Sequence, residues 1–286
     1  MSDLRVRAPA TTANLGPGFD CAACALDLWN ELVVGEGGGV TIAGGGAGEL
    51  PEGPENLALR AFALLAPVEG RSFAFSNRIP LGRGLGSSAA AVALGLVAAA
   101  RAAGREVVPG ELLAVGARLE GHADNLAAAL CGGLCLTWAE RGMPRLARIA
   151  DGPPLEPVAV IPAERVATAA SRAALPAQVS HADASFTAGR AALLGAGAAS
   201  GDPRLFATAL ADRLHEPFRA ATAPLLQAVR EARPTGALGA TLSGSGPTVI
   251  VWVEPGRGAE CASDLAGRFR SARVVVLAPS AEGAAS

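Results

Sequence analysis

A run of glycines and serines directly before a long alanine-rich segment is the feature that most constrains the fold of this chain. The run reads PLGRGLGSS over residues 80–88, and the pattern that follows it predicts a buried helix over 86–103. Glycine lets the main chain turn and approach a ligand closely, and the first turn of a helix offers unpaired N–H groups at the positive end of its dipole. This arrangement suits an anion such as a phosphate group.

The chain contains no lysine, because all 24 of its basic residues are arginines. A Walker-type phosphate loop needs a lysine beside its last glycine to reach the β- and γ-phosphates. A nucleotide bound at residues 80–88 would therefore be neutralised by main-chain amides, arginine and a metal ion. Arg83 adds a cation within the run, where it could contact a phosphate or face solvent.

Composition narrows the class of protein. Half of the 286 residues are hydrophobic and the net charge is −2, which argues against a surface for nucleic acid. No apolar run is long and clean enough to span a membrane, and the N-terminus lacks the layout of a signal peptide, so we expect a cytoplasmic protein. Cys21 and Cys24 have the spacing of a redox or metal pair, but partners at ligand spacing are missing, which favours reduced and buried thiols.

The order of predicted elements indicates two domains, 1–152 and 153–286, divided at the turn-rich residues 151–154. Residues 4–8 are predicted to form the first strand, and residues 217–232 a single helix. The chain should end in the order strand, strand, helix, strand, which is part of a ferredoxin-like sandwich. We expect the tail, residues 279–286, to be frayed.

Four polar clusters interrupt the apolar background, at residues 9–20, 80–88, 120–125 and 241–248. Each one alone has a plain structural explanation as a turn or a helix cap. A turn or a cap has no reason to recur in this pattern, and the joint occurrence therefore favours one shared functional site.

Residues 9–20, 80–91 and 239–248 resemble, in the same order, the three signature motifs of the GHMP small-molecule kinases. Within that superfamily, residues 122–125, 168–176 and 215–219 are most similar to members that act on L-homoserine. The resemblance implies an α+β fold with an N-terminal ribosomal-protein-S5-like domain and a C-terminal ferredoxin-like sandwich. It also implies Mg²⁺-assisted phosphoryl transfer from ATP to the hydroxyl of L-homoserine, in threonine biosynthesis, and it is compatible with a homodimer.

The resemblance further implies individual roles. ATP would contact Asn56, Pro80, Gly82, Arg83, Gly84, Leu85, Gly86, Ser87, Ser88, Ser243, Gly244 and Ser245. The metal ion would be held by Ser88, or by Ser87 in its place, together with Glu120. The amino acid would be surrounded by Asn14, Asp20, His122, Asp124, Arg172 and Arg219, and the catalytic set would be Asn14, Glu120 and Asn125.

The chemistry of these residues agrees with an amino-acid substrate, because a zwitterion needs a cation for its carboxylate and an anion for its ammonium group. Arg172 and Arg219 can grip a carboxylate through paired N–H donors. Some relatives carry an aspartate where this chain has Asn125, and since a neutral amide cannot take a proton, we expect no protein base there. Two alternatives are another GHMP kinase of the mevalonate type and a non-catalytic member that binds a metabolite.

Overall fold

The computed structural model describes residues 3–286 and contains two β-sheets, one in each half of the chain. The strands are β1 (Leu4–Asn14), β2 (Gly18–Glu36), β3 (Val40–Gly44), β4 (Arg71–Asn77), β5 (Leu134–Glu140), β6 (Met143–Ala150), β7 (Glu156–Ile161), β8 (Ala237–Leu242), β9 (Val249–Val253) and β10 (Arg273–Val276). The helices are α1 (Leu57–Ala63), α2 (Ser87–Ala102), α3 (Pro109–Glu120), α4 (Asp124–Cys131), α5 (Thr168–Ala173), α6 (His181–Ser200), α7 (Pro203–Ala209), α8 (Leu225–Ala232) and α9 (Gly258–Arg268), with a 3-10 turn at Pro217–Arg219.

The first sheet is built around β2, which pairs with β1 along most of its length and with β4 and β5 at two separate stretches. The strand order is β3-β4-β2-β5-β6, and only β3 and β4 run parallel. Helix α2 packs against β1 and α1, and every residue from 92 to 100 is buried. Its small side chains allow this close packing on several sides, so the buried helix predicted over 86–103 is confirmed.

The second sheet is antiparallel throughout, in the order β10-β7-β9-β8. Trp252 of β9 is fully buried, meets Phe206 edge-on at 5.5 Å between ring centres, and donates its indole N–H to the Thr241 hydroxyl. The two-domain α+β fold is thus confirmed. No helix within residues 3–286 combines the length and the apolar character that a membrane crossing requires.

Two local predictions differ from the structure, and two elements were missed. Residues 9–20 do not follow the first strand but form a hairpin, because β1 continues to Asn14 and β2 begins at Gly18. Residues 217–232 are not one helix: α8 begins only after Pro224, which lacks an N–H and disfavours helical backbone in the residue before it. Strand β6 and helix α5 were not predicted.

The predicted fraying of residues 279–286 is wrong. Ser280 donates its N–H to the carbonyl of Ala25 and accepts from Gly133, at 2.9 and 2.7 Å. Ala284 is buried and donates to the carbonyl of Ala129. The tail therefore closes over the C-terminal end of α4, where carbonyls of the last helical turn need partners.

Removal of residues 279–286 should lower the free energy of unfolding by about 2–4 kcal/mol, because several main-chain hydrogen bonds of about 1 kcal/mol each are lost. Urea unfolding followed by circular dichroism measures the effect. The control is Glu282→Gln, which removes only an exposed ion pair with Arg7. Equal urea midpoints for the truncated and full-length chains would contradict a structural role for the tail.

Candidate active site

The polar clusters of the sequence meet in one cleft where the loops of the two sheets face each other. Of the residues predicted for the site, most line this cleft. They are Asn14, Asp20, Gly82, Gly84, Gly86, Ser87, Ser88, Glu120, His122, Asp124, Asn125, Arg172, Arg219, Gly244 and Ser245. Val166 and Thr168 also line it and were not predicted as site residues.

The glycine run packs main chain against main chain. Gly84 has a φ of +75°, and a Cβ there would overlap the carbonyl oxygen of Ser243. Gly86 has a φ of +68°, and a Cβ there would overlap the hydroxyl of Thr11. Both positions thus demand glycine for conformation and for space. The loop delivers the first turn of α2 to the cleft with its unpaired N–H groups available to an anion.

The turn between β8 and β9 joins the two halves of the chain at this point. Ser243 donates its hydroxyl to the carbonyl of Gly84 at 2.6 Å and also contacts the Thr12 hydroxyl at 2.9 Å. Gly244 donates its N–H to the carbonyl of Ala13 and accepts from Nδ2 of Asn14 at 2.9 Å. Ser243 is fully buried, so it fastens the loop from behind the cleft instead of lining it.

Glu120 and Ser88 form the group best suited to a metal ion. The Ser88 hydroxyl donates to Oε2 of Glu120 at 3.0 Å, and burial raises the pKa of Glu120, which a bound cation would counteract. Within residues 3–286 no group of three His, Cys, Asp or Glu side chains is arranged to hold a metal ion by itself. One carboxylate, one hydroxyl and the oxygens of a bound phosphate are a donor set that fits Mg²⁺.

Opposite charges face each other in two pairs along the cleft. Arg172 donates to both carboxylate oxygens of Asp20, at 2.9 and 2.6 Å, and this pairing raises the pKa of Arg172. Nδ1 of His122 lies 3.4 Å from Oδ1 of Asp124, an ion-pair distance, and the interaction raises the pKa of His122 against the effect of burial. Asp20 and Arg172 are partly exposed and Asp124 is buried, so the cleft carries charges of both signs from its rim inward.

Asn125 lies at the start of α4 with its amide held in one orientation. The Thr11 hydroxyl donates to Oδ1 of Asn125 at 2.6 Å, while Nδ2 lies 3.3 Å from Oδ1 of Asp124. The oxygen is therefore occupied by a protein donor, and the nitrogen has a proton left to offer to the cleft. Thr11 is fully buried; it lies in the predicted polar cluster 9–20, but no role of its own was predicted for it.

Some predicted nucleotide contacts lie away from the cleft lining. Asn56 caps α1, since its Oδ1 accepts from the N–H of Ala58. Its Nδ2 donates to the carbonyl of Pro51 in the preceding loop. Arg83 neither faces solvent freely nor lines the cleft: its guanidinium donates to the main-chain carbonyls of Leu81, Pro162 and Ala163. The other three outside the lining are Pro80, the fully buried Leu85 and Ser243.

Two family models match the chain, GHMP kinases N terminal domain at residues 56–133 and GHMP kinases C terminal at residues 190–271. A homoserine kinase from Moorella thermoacetica is 41% identical over 291 residues, and the match covers 98% of either chain. A homoserine kinase from Streptomyces coelicolor is 43% identical over 258 residues, which cover 86% of this chain and 83% of that one.

The fold agrees with these matches. The crystal structure of homoserine kinase from Cytophaga hutchinsonii superposes with a TM-score of 0.86 at 27% identity, over 99% of this chain and 96% of that one. With relatives above 40% identity along nearly the whole sequence, the chain belongs to the GHMP kinases and, within them, to the homoserine kinase family.

Proposed function

We propose that this chain transfers the γ-phosphoryl group of ATP, with Mg²⁺, to the side-chain hydroxyl of L-homoserine and so forms O-phospho-L-homoserine for threonine biosynthesis. One observation carries the proposal: the loop suited to phosphate opens into the same cleft as a carboxylate and two guanidinium groups. Phosphoryl transfer depends on positioning and on stabilisation of charge, and a cleft of this kind provides both.

The charges of the cleft match those of an α-amino acid. Asp20 and Arg172 neutralise each other in the structure, and a zwitterion carries the complement of both, so it can replace the pair without leaving a charge unpaired. Arg219 adds a second guanidinium, which is 2% exposed. Charge-assisted hydrogen bonds contribute roughly 1.5–3 kcal/mol each, enough for a site of this kind to reject analogues that lack one charge.

On the nucleotide side, Gly82, Gly84 and Gly86 and the start of α2 would wrap the phosphates, with Ser88 and Glu120 holding Mg²⁺. When bound, Mg²⁺ supplies positive charge to the oxygens of the transferring phosphoryl group. Arg83 would act indirectly, because it fixes the loop through main-chain carbonyls. Asn56 would support the adenine side through the loop before α1.

The substrate hydroxyl would be oriented by the amides of Asn14 and Asn125. Neither amide can accept a proton, and Oδ1 of each already accepts from a protein donor, the N–H of Asp20 and the hydroxyl of Thr11. The proton of the hydroxyl would therefore pass to the phosphate itself. A cytoplasmic location stays a prediction from the sequence pattern, and a homodimer stays a prediction from the resemblance.

The proposal predicts a clear order of substrates. ADP release with L-homoserine should exceed that with D-homoserine, L-serine, L-threonine or mevalonate by about 10²-fold or more in kcat/KM, because each of these misplaces the hydroxyl or lacks a charge. A coupled assay of ADP formation measures it. A preference for mevalonate would favour the mevalonate-type alternative, and binding of L-homoserine without ADP release would favour a non-catalytic protein.

The hydrogen bond that orients Asn125 predicts what happens when the buried Thr11 hydroxyl is removed. Thr11→Val keeps the shape of the side chain but frees the Asn125 amide to turn, and kcat should fall about tenfold, equivalent to about 1.4 kcal/mol. The KM for ATP should change little. The matched control is Thr11→Ser, which keeps the hydroxyl and should retain most of the activity; equal losses in the two variants would refute the role of the hydrogen bond.

Substitution of Asn125 tests whether the reaction proceeds without a protein group that accepts the proton of the hydroxyl. Asn125→Ala should lower kcat, since the hydroxyl loses a donor that orients it, and Asn125→Asp should not raise kcat, because a new carboxylate would lie beside Asp124 and the incoming phosphate. Steady-state kinetics with saturating ATP measures both. A sharp increase for Asn125→Asp together with wild-type behaviour of Asn125→Ala would contradict transfer without a protein base.

A further inference from the structure

Arg219 lies at the floor of the cleft with only one side of its guanidinium engaged by protein. Its Nη1 donates to Nδ1 of His215 and to the carbonyl of Gly244, each at 3.1 Å. Its Nε is buried and, within residues 3–286, has no hydrogen-bond partner. Arg219 lines the cleft, and the edge formed by its Nε and Nη2 makes no hydrogen bond to the described residues. Such an edge matches a carboxylate through two parallel hydrogen bonds.

The hydrogen bonds of His215 determine where its proton lies. Nε2 is 2.8 Å from the carbonyl oxygen of Gly16, and because a carbonyl can only accept, Nε2 must carry the hydrogen. In a neutral imidazole Nδ1 then has a lone pair, which accepts from Nη1 of Arg219. A protonated imidazole would have a hydrogen at Nδ1 and would turn this contact into a clash between two donors.

The surroundings favour the neutral imidazole, although Oδ2 of Asp212 lies 3.7 Å from Nε2. Burial lowers the pKa of His215, and the charge of Arg219 acts in the same direction, against the opposing effects of Asp212 and Glu216. Both carboxylates have other donors: Asp212 accepts from three main-chain N–H groups of residues 214–216, and Glu216 accepts from Arg230 and from the N–H of Leu242. Neither carboxylate depends on a charged histidine.

His215 also connects the two halves of the chain. Gly16 and Phe19 belong to the hairpin of β1 and β2, and the ring of Phe19 stacks on the imidazole with 5.0 Å between centres. The guanidinium carbon of Arg219 lies 5.3 Å from the centre of the same ring. The imidazole is therefore fixed by the hairpin on one side and holds the guanidinium on the other.

We propose that His215, as the neutral imidazole with its hydrogen on Nε2, is a positioning residue that orients the guanidinium of Arg219 toward the carboxylate of the substrate. The inference rests on the proposed function in one respect, the assignment of Arg219 to that carboxylate. What the inference adds is a role for the hydrogen bond between Nη1 of Arg219 and Nδ1 of His215. This bond prevents the guanidinium from rotating its free edge out of the cleft.

Two substitutions separate the hydrogen bonds of the imidazole. In His215→Asn the amide oxygen can take the place of Nδ1 and accept from Arg219, while the contact to Gly16 is lost. In His215→Gln the amide nitrogen can reach the Gly16 carbonyl, while Arg219 loses its acceptor. We expect His215→Gln to raise the KM for L-homoserine about tenfold with an unchanged KM for ATP, and His215→Asn to stay within about threefold of wild type.

The pH dependence gives a second readout. Protonation of Nδ1 removes the acceptor, so the KM of the wild type for L-homoserine should rise as the pH falls into the acidic range where the imidazole gains its second proton, and this rise should be absent from His215→Asn. Equal increases in KM for the two variants, or none in either, would overturn the inference even if the wild type is an active homoserine kinase. Failure of the wild type to phosphorylate L-homoserine would instead overturn the proposed function.

A third measurement needs no substitution at this position. The chain has three histidines, so ¹⁵N NMR of the imidazoles can be assigned with His122→Asn and His181→Asn. The inference requires a neutral His215 with hydrogen on Nε2 at pH 7. A charged imidazole, or hydrogen on Nδ1, would refute it, including in the case where both His215 variants fail to fold.

Discussion

The close contact of two glycine turns is the constraint on which the rest of the site depends. Gly84 of the phosphate loop meets the carbonyl of Ser243 at a distance that leaves no room for a side chain, and Ser243 returns a hydrogen bond to Gly84. Gly244 then bonds to the end of β1. Because main chain meets main chain, the distance between the loop and the amino-acid pocket is set by backbone geometry, which few substitutions can change.

The same contact explains how a chain without lysine can present positive charge to a phosphate. The N–H groups at the start of α2 are fixed dipoles, and they need no reorganisation when a charge develops. The guanidinium groups that line the cleft lie on its amino-acid side, where Arg172 is paired at the rim and Arg219 is buried at the floor. Burial lowers the pKa of Arg219, so its charge is held in place at a free-energy cost that a bound carboxylate would reduce.

The sequence predicted the residues that line the cleft better than the residues that hold them in place. Glycine spacing and the polar clusters were sufficient to find the phosphate loop, Glu120 and Asp124, because these carry recognisable local patterns. The roles of Thr11 and His215 depend on contacts across 114 and 199 residues of sequence, and no local pattern encodes such pairs. Residues 217–232 were predicted as one helix, but Pro224 disfavours helical backbone in the residue before it, and α8 begins only after it.

Fraying of the tail was predicted from its position and its small residues, yet main-chain hydrogen bonds to the strand and helix beneath it decide the outcome. A residue of a sequence motif can contact the ligand directly, or it can hold the loop that does so. Ser243 shows the difference: its motif marks it as a contact of the nucleotide, whereas its hydroxyl is fully used to join Thr12 and Gly84. Since phosphoryl transfer asks a protein for position more than for proton transfer, such fixing residues determine how well the reacting groups align.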